Sequence, residues 1–242
     1  MKFLIPTAKE MTEDIDSKSP LKSHPKTDAI LAELTKMSPE ELARFYKIKP
    51  EAAKKEYERI QEIKHETAKY YPAIFLFNGL MYRYINRFAF NQDELNRLSS
   101  DVLISSSLYG IIPALTPIAP HRLDFSQKLT IEGTPLKKYW QADFDAVYTP
   151  DETYISLLSS EFEDIFSKPI REQLIKVVFM EAKNGQLKTH STISKKGRGA
   201  FLSEAIKKNA DNLSGLKKLT FDGFTYQEDL SEPQKFVFVK KI

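Results

Sequence analysis

The chain alternates short apolar runs with longer amphipathic stretches. Residues 1–5 form an apolar run that ends at Pro6, which predicts a short buried strand. Other apolar runs predict strands over residues 73–77, 154–158, 174–180 and 236–239. The Asn184-Gly185 pair favours a type I′ turn, so a hairpin is expected between residues 174–180 and 187–193.

Helical periodicity occupies much of the remaining chain. Ser38 is followed by Pro39 and by Glu41 at the third helical position, a capping box that predicts a helix over residues 39–46. Further helices are predicted over residues 28–37, 51–69 and 199–208, and from Thr134-Pro135 through Tyr139 and Trp140. Residues 91–94 (NQDE) are expected to cap another helix over residues 92–98.

These elements mix without a strict strand–helix–strand rhythm, which predicts an α+β (mixed α/β) fold. The polar segment 12–27 carries two prolines and is expected to be a long surface loop. No linker or repeat divides the chain, so residues 1–242 are expected to form a single compact domain, a mixed sheet flanked by helices.

Composition excludes several kinds of chemistry. The 242 residues include no cysteine, which removes disulfides, thiolate nucleophiles and cysteine-ligated metals. The four histidines lack a metal-ligand spacing, so we expect no metal site and no cofactor. No apolar run reaches the length of a signal peptide or a membrane span, so a cytoplasmic protein without a membrane partner is expected.

The formal charge of +3 conceals an uneven distribution. Residues 183–218 contain nine basic and two acidic side chains, whereas residues 141–164 contain seven acidic and no basic ones. The basic block indicates an anionic partner such as a nucleic-acid backbone, although a solvated helix face would look the same. Within it, Lys195-Lys196-Gly197-Arg198-Gly199 precedes the expected helix 199–208, which favours an anion site.

Candidate catalytic groups are sparse. The glycine-rich nucleotide motifs and the G-x-S-x-G nucleophile motif are absent. His121 and Asp124 could form a base and its orienting acid, or belong to ordinary hydrogen-bonded structure. Ser160 and Glu161 follow a predicted strand, where a ligand can bind, but helix capping by this segment is the more economical interpretation.

The run Leu108-Tyr109-Gly110-Ile111 has the apolar-Gly-apolar form of a helix-hairpin-helix turn, which grips a DNA phosphate through backbone N–H groups. Three nearby prolines, Pro113, Pro117 and Pro120, leave little room for a second helix, so this signal is weak.

Several stretches occur in one order along nearly the whole chain. They are residues 5–9 (IPTAK), 107–110 (SLYG), 120–123 (PHRL), Tyr139-Trp140, 183–185 (KNG) and 195–199 (KKGRG). Together they resemble the YaaA peroxide-stress family. Two departures are Gly197, where alanine is usual, and Glu10, where threonine or serine commonly follows the lysine.

The resemblance implies a cytoplasmic bacterial protein that protects against hydrogen peroxide by limiting free iron and Fenton damage. It also implies DNA binding, a mixed α/β fold, a positively charged cleft and a helix-hairpin-helix element. Direct iron chelation has no support in the residues, because only the acidic segment 141–164 offers a carboxylate cluster.

Two hypotheses from different classes remain. In the first, the chain holds double-stranded or distorted DNA in a basic cleft. Its anion-binding residues would be Lys9, Tyr109, Gly110, Arg122, Lys183, Lys195, Lys196 and Arg198. In the second, the chain is an enzyme acting on a phosphorylated or nucleotide-like small molecule. Lys9, Arg122 and Arg198 would hold the anion, beside Ser160 and Glu161. An acidic protein-interaction face at residues 141–164 is a third, weaker alternative.

Overall fold

The computed structural model describes residues 1–20 and 24–242. Its strands are β1 (Lys2–Pro6), β2 (Tyr71–Pro72), β3 (Val102–Ser106), β4 (Gly110–Pro113), β5 (Pro117–Ile118), β6 (Thr130–Ile131), β7 (Thr134–Pro135), β8 (Tyr154–Ser156), β9 (Ile175–Lys183), β10 (Gln186–Lys188), β11 (Thr220–Phe221), β12 (Phe224–Tyr226) and β13 (Lys235–Lys241). Its α-helices are α1 (Pro25–Leu34), α2 (Pro39–Tyr46), α3 (Pro50–Lys64), α4 (Ala73–Leu76), α5 (Leu80–Arg83), α6 (Gln92–Asp101), α7 (Leu136–Val147), α8 (Ser160–Glu163), α9 (Lys168–Arg171), α10 (Ser191–Lys207) and α11 (Leu213–Lys217). Short 3₁₀ turns occur at Arg87–Ala89 and Glu228–Leu230.

One large mixed sheet organises the fold. Its strand order is β11-β12-β13-β9-β8-β1-β3-β4, and β10 pairs with β9 beside this path. Strands β13, β9, β8, β1 and β3 run parallel to one another, while β4, β12 and β11 add antiparallel edges. The structure thus confirms a mixed α/β single domain with helices around a mixed sheet.

The sheet separates two hydrophobic cores. In β1, Phe3 and Ile5 are buried in one core and Leu4 is buried in the other. This alternation follows from the two-residue period of a strand. Because β1 pairs with β3 on one side and β8 on the other, the loops that follow all three strands emerge at the same edge of the sheet.

Several local predictions are confirmed. Helix α2 begins in a complete capping box in which Ser38 and Glu41 exchange side-chain-to-backbone hydrogen bonds. Asn91 and Glu94 form the same motif at the start of α6. Asn184 and Gly185 both adopt positive φ, as a type I′ turn requires, and connect β9 to β10.

The strand predicted over residues 73–77 is wrong. Residues Ala73–Leu76 form the short helix α4, which is completely buried at Ala73, Ile74 and Leu76. A short apolar run does not distinguish a buried strand from a buried helix. Backbone N–H groups of Ala73 and Ile74 bond to Thr116 and Ala114 outside the helix, so tertiary contacts decide its conformation.

The strand predicted over residues 187–193 and the helix start predicted at 199 are also wrong. Only Gln186–Lys188 pairs with β9, and α10 already begins at Ser191. The basic stretch 195–199 therefore lies inside a helix rather than in a loop before one. Glycines lower helix propensity, and two of them masked this helix in the sequence.

Other boundaries also differ from expectation: the helix predicted over residues 28–37 ends at Leu34, and the strand predicted over residues 154–158 ends at Ser156. Helix α3 ends at Lys64, before the predicted residue 69, because Glu66 adopts a left-handed conformation. Of the expected loop 12–27, residues 21–23 lie outside the described residues, and 25–27 already belong to α1. The helices that the structure describes include none long and apolar enough to cross a bilayer.

The two glycines of α10 allow close packing rather than backbone approach to a ligand. A Cβ at Gly197 would lie 2.3 Å from Phe179 Cγ on β9. A Cβ at Gly199 would lie 2.1 Å from the Met81 carbonyl oxygen on α5 and 2.7 Å from Tyr84 Cβ. Helix α10 therefore sits against β9 and α5 at distances that a larger residue does not permit.

We predict that Gly199→Ala lowers the free energy of unfolding by about 1–3 kcal/mol, because the new methyl group meets backbone that must move. Urea unfolding measures this change. Gly215→Ala in α11 is the matched control, since its Cβ would meet nothing closer than 3.6 Å and alanine raises helix propensity by about 1 kcal/mol. Equal stability of the two variants would contradict the packing argument.

Candidate functional site

A cavity of about 400 Å³ opens at the carboxyl edge of the sheet. It is formed by the loop after β1, by Phe77 just after α4, by α5, by residues 121–124, by the start of α8 and by α10. Four cationic side chains and three acidic ones line it: Lys9, Arg122, Lys195, Arg198, Glu10, Asp124 and Glu161. These residues are distant in sequence, and the parallel strands bring them together.

The turn between β3 and β4 contacts the segment that lines the cavity but does not line the cavity itself. Residues 107–109 connect two antiparallel strands, so the helix-hairpin-helix interpretation of this segment is wrong. Gly110 has φ of +76°, and a Cβ there would lie 2.9 Å from the Trp140 ring. The glycine thus serves a tight hairpin packed on α7, and neither Gly110 nor Tyr109 lines the cavity.

Serine hydroxyls hold this turn against the segment that carries His121. The Ser107 hydroxyl donates to the Leu123 carbonyl at 2.7 Å, and the Ser106 oxygen accepts the Tyr109 N–H at 3.1 Å. The Tyr109 hydroxyl oxygen accepts the Ala119 N–H at 3.2 Å. These serines therefore serve the structure of the turn.

His121 is buried and neutral. Its Nδ1 lies 2.9 Å from the Ala119 carbonyl, which makes Nδ1 the protonated nitrogen and leaves Nε2 as an acceptor. The edges of Tyr109 and Phe77 enclose the ring. Burial lowers the pKa of His121 to about 4, so the imidazole is uncharged at neutral pH.

Asp124 is fixed by two hydrogen bonds and one ion pair. Its Oδ1 accepts the backbone N–H of Ser126 at 2.8 Å and the Ser126 hydroxyl. Its Oδ2 forms an ion pair with Lys9 Nζ at 2.6 Å but receives no directed hydrogen bond. Asp124 does not orient His121, which bonds to a backbone carbonyl instead.

Glu161 lies in the first turn of α8, after β8. Its Oε1 is buried and has no hydrogen-bond partner. Burial raises the pKa of Glu161, and the charge of Asp124 raises it further. Ser159 precedes α8 without making a side-chain cap, and it lines the cavity where Ser160 was expected.

Arg198 approaches the same cavity from α10. Its guanidinium makes no hydrogen bond or ion pair with the residues that the structure describes, and its Nε is buried. Burial lowers the pKa of Arg198, an effect that the charge of Glu163 opposes. Glu163 itself is engaged with Lys176 Nζ at 2.7 Å and with the Ser156 hydroxyl.

Unpartnered polar atoms concentrate here. Among the described residues, six buried side-chain atoms lack a hydrogen-bond partner, and four of them belong to residues of this cavity. The four are Arg198 Nε, His121 Nε2, Asp124 Oδ2 and Glu161 Oε1. Because buried polar groups are almost always satisfied in folded proteins, this concentration marks a site built for a polar ligand.

The remaining expected residues are dispersed. Lys183 is exposed beside the β9–β10 turn, and Lys196 lies over the Tyr84 ring, 5.5 Å from its centroid. Sequence reasoning missed the contribution of α5, whose Leu80 and Met81 line the cavity without any polar signal. No group of three metal-ligating side chains occurs in the described part of the chain, including the acidic segment 141–164.

Comparison with known proteins identifies the relatives of this chain. The family model described as "Peroxide stress protein YaaA" matches residues 1–230. A UPF0246 protein of Streptococcus gordonii is 49% identical over 242 residues, which is 100% of this chain and 99% of the relative. A UPF0246 protein of Streptococcus pneumoniae is 48% identical over the full length of both chains. The chain therefore belongs to the peroxide stress protein YaaA family.

Proposed function

We propose that this protein serves in peroxide stress by binding a small phosphate-bearing, nucleotide-like ligand in the cavity. The observation that carries the proposal is the Arg198 guanidinium, which is buried at Nε and has no hydrogen-bond or ion-pair partner in the described part of the chain. Burying an uncompensated charge is costly, whereas an Arg fork binds a phosphate in two directed hydrogen bonds.

The surroundings suit such a ligand. Lys195 and Arg122 line the same cavity and make no ion pair with described residues, so their charges are available to an anion. Phe77, Leu80 and Phe162 add apolar surface against which a nucleobase or sugar can pack. A volume of about 400 Å³ falls within the range of small-ligand sites.

In this proposal, the limitation of free iron and of Fenton damage is a later consequence of ligand binding. The carboxylates at the cavity are Glu10, Asp124 and Glu161, and two of them are engaged by Arg83 and Lys9. We therefore propose an indirect route to iron control, in which the ligand or its product is the agent.

We predict that Arg198→Gln weakens the binding of phosphate and nucleotides at least tenfold. Calorimetric titration with inorganic phosphate and with AMP, GMP, CMP and UMP should detect binding of at least one of these compounds to the wild type, and at least tenfold weaker binding to the variant. Arg171→Gln is the matched control, because Arg171 pairs with Asp164 on the surface at 2.5 Å and lies outside the cavity. Failure of all five compounds to bind the wild type would contradict the proposal.

In the absence of ligand, loss of the Arg198 charge should stabilise the protein. Arg198→Met keeps the aliphatic packing and removes the unpartnered guanidinium, so we predict a free energy of unfolding about 0.5–2 kcal/mol higher than in the wild type. Urea unfolding without ligand tests this. A destabilised Arg198→Met variant would show that the guanidinium is already satisfied within the protein.

Nucleic acid is the second candidate ligand. Lys195 is exposed at the cavity. Lys196, which follows it on α10, lies over the ring of Tyr84. A DNA strand could therefore rest on these lysines while it presents a phosphate to Arg198. This arrangement supports DNA binding through the phosphate backbone, without base-specific contacts.

For DNA we predict a salt-dependent affinity that Lys195 and Lys196 control. Titration of a labelled duplex at several salt concentrations should give a linear log K against log[salt], and Lys195→Ala/Lys196→Ala should reduce its slope by about 2. Lys207→Ala/Lys208→Ala removes the same charge near the other end of α10, about 18 Å away. Equal effects of the two double variants would contradict a binding site at the cavity.

A further inference from the structure

Three groups in the cavity are unsuited to a phosphate. His121 Nε2 and Glu161 Oε1 are buried acceptors without a hydrogen-bond partner among the described residues, Asp124 Oδ2 is paired only with Lys9 Nζ at 2.6 Å, and ionised carboxylates repel an anion. Two of these residues, His121 and Asp124, are more than nine-tenths buried. Arg198 and Lys195 account for a phosphate, so these acceptors must face another part of the ligand, one that carries donors or gains positive charge.

The two carboxyl groups are held differently. Asp124 is anchored by the Ser126 backbone N–H, the Ser126 hydroxyl and the Lys9 ammonium. Glu161 has no such partner on Oε1, and both burial and the nearby Asp124 charge raise its pKa. Two carboxyl groups held in such different surroundings are the arrangement that divides into a base and an acid in hydrolytic sites.

Arg198 and Lys195 limit the class of substrate on which the two carboxyl groups can act. Carboxyl pairs of this kind cleave glycosidic bonds, whose transition state carries positive charge on the sugar. Arg198 and Lys195 add a phosphate anchor on α10, and binding energy at that remote group can orient the reacting carbon. Both features together fit a sugar that carries a phosphate and a leaving group.

We propose that the cavity hydrolyses the glycosidic bond of a nucleotide, with Glu161 as the proton donor and Asp124 as the proton acceptor. This inference rests on the proposed function, since it requires the phosphate to be held by Arg198. His121 Nε2 accepts a hydrogen bond from a sugar hydroxyl and so fixes the ring.

The reaction consumes one water molecule. The water oxygen forms a bond to C1′ while the C1′–N bond breaks, and the bonding pair leaves with the nucleobase nitrogen. Glu161 gives its proton to the departing base, and Asp124 takes a proton from the attacking water. Return of that proton through solvent to Glu161 restores both groups, and the products are a free base and ribose 5-phosphate.

The test follows base release by chromatography, with the full-length protein and AMP, GMP, CMP, UMP and their nucleosides. We expect free base from at least one monophosphate, a slower reaction with the matching nucleoside, and one ¹⁸O atom from labelled water in the sugar product. Glu161→Gln should slow release by about 10²-fold or more and leave monophosphate binding within about twofold of the wild type. Asp124→Asn should slow it similarly.

Asp164→Asn is the matched control, because Asp164 follows the same short helix as Glu161 but pairs with Arg171 on the surface. Monophosphate binding without base release, or release that Glu161→Gln leaves unchanged, overturns the hydrolysis but not the proposed function. Absence of monophosphate binding overturns both. Unfolding midpoints of all variants confirm that lost turnover does not reflect lost folding.

Discussion

The pairing of β1 with two neighbours is the constraint on which the rest of the structure depends. Five residues near the start of the chain hydrogen-bond in parallel to β3 on one side and to β8 on the other. Without this strand, the antiparallel hairpin β3–β4 and the half of the sheet that contains β9 would have no connection within the sheet. The same pairing places Lys9, the Ser107 turn and Glu161 at one edge, so the cavity is a direct consequence of strand order.

Close packing of α10 is the second requirement of the site. Successive helical residues are separated by about 100°, so Arg198 leaves the helix between the directions in which Gly197 and Gly199 face. Those two glycines contact Phe179 and the backbone of Met81. The two glycines thus allow the helix to pack closely, and Arg198 between them faces the cavity. The stretch 195–199, which has the sequence of a flexible basic loop, is a helical segment that holds Arg198 at the cavity.

Elements whose signal is local could be predicted from the sequence. The capping boxes at Ser38 and Asn91 and the Asn184-Gly185 turn need only neighbouring residues, and all three are observed. Residues 73–76 and the start of α10 failed because their conformation depends on burial from several sides, which periodicity does not encode. Lys9, Arg122 and Glu161 could be proposed as one site because their charged side chains are visible in the sequence. The contribution of Leu80 and Met81 could not be proposed, because these apolar residues carry no such signal.

Charge counts alone misjudged the basic block, because they treat every lysine and arginine as equivalent. Lys183 is exposed on a hairpin, Lys196 contacts an aromatic ring, and Arg198 is half-buried with no hydrogen-bond partner among the described residues. Only the last imposes a free-energy cost on the folded chain that a ligand can relieve. A protein without cysteine has no thiol with which to sense or reduce peroxide. The proposed function instead draws on this arginine and on the acidic side chains that line the same cavity.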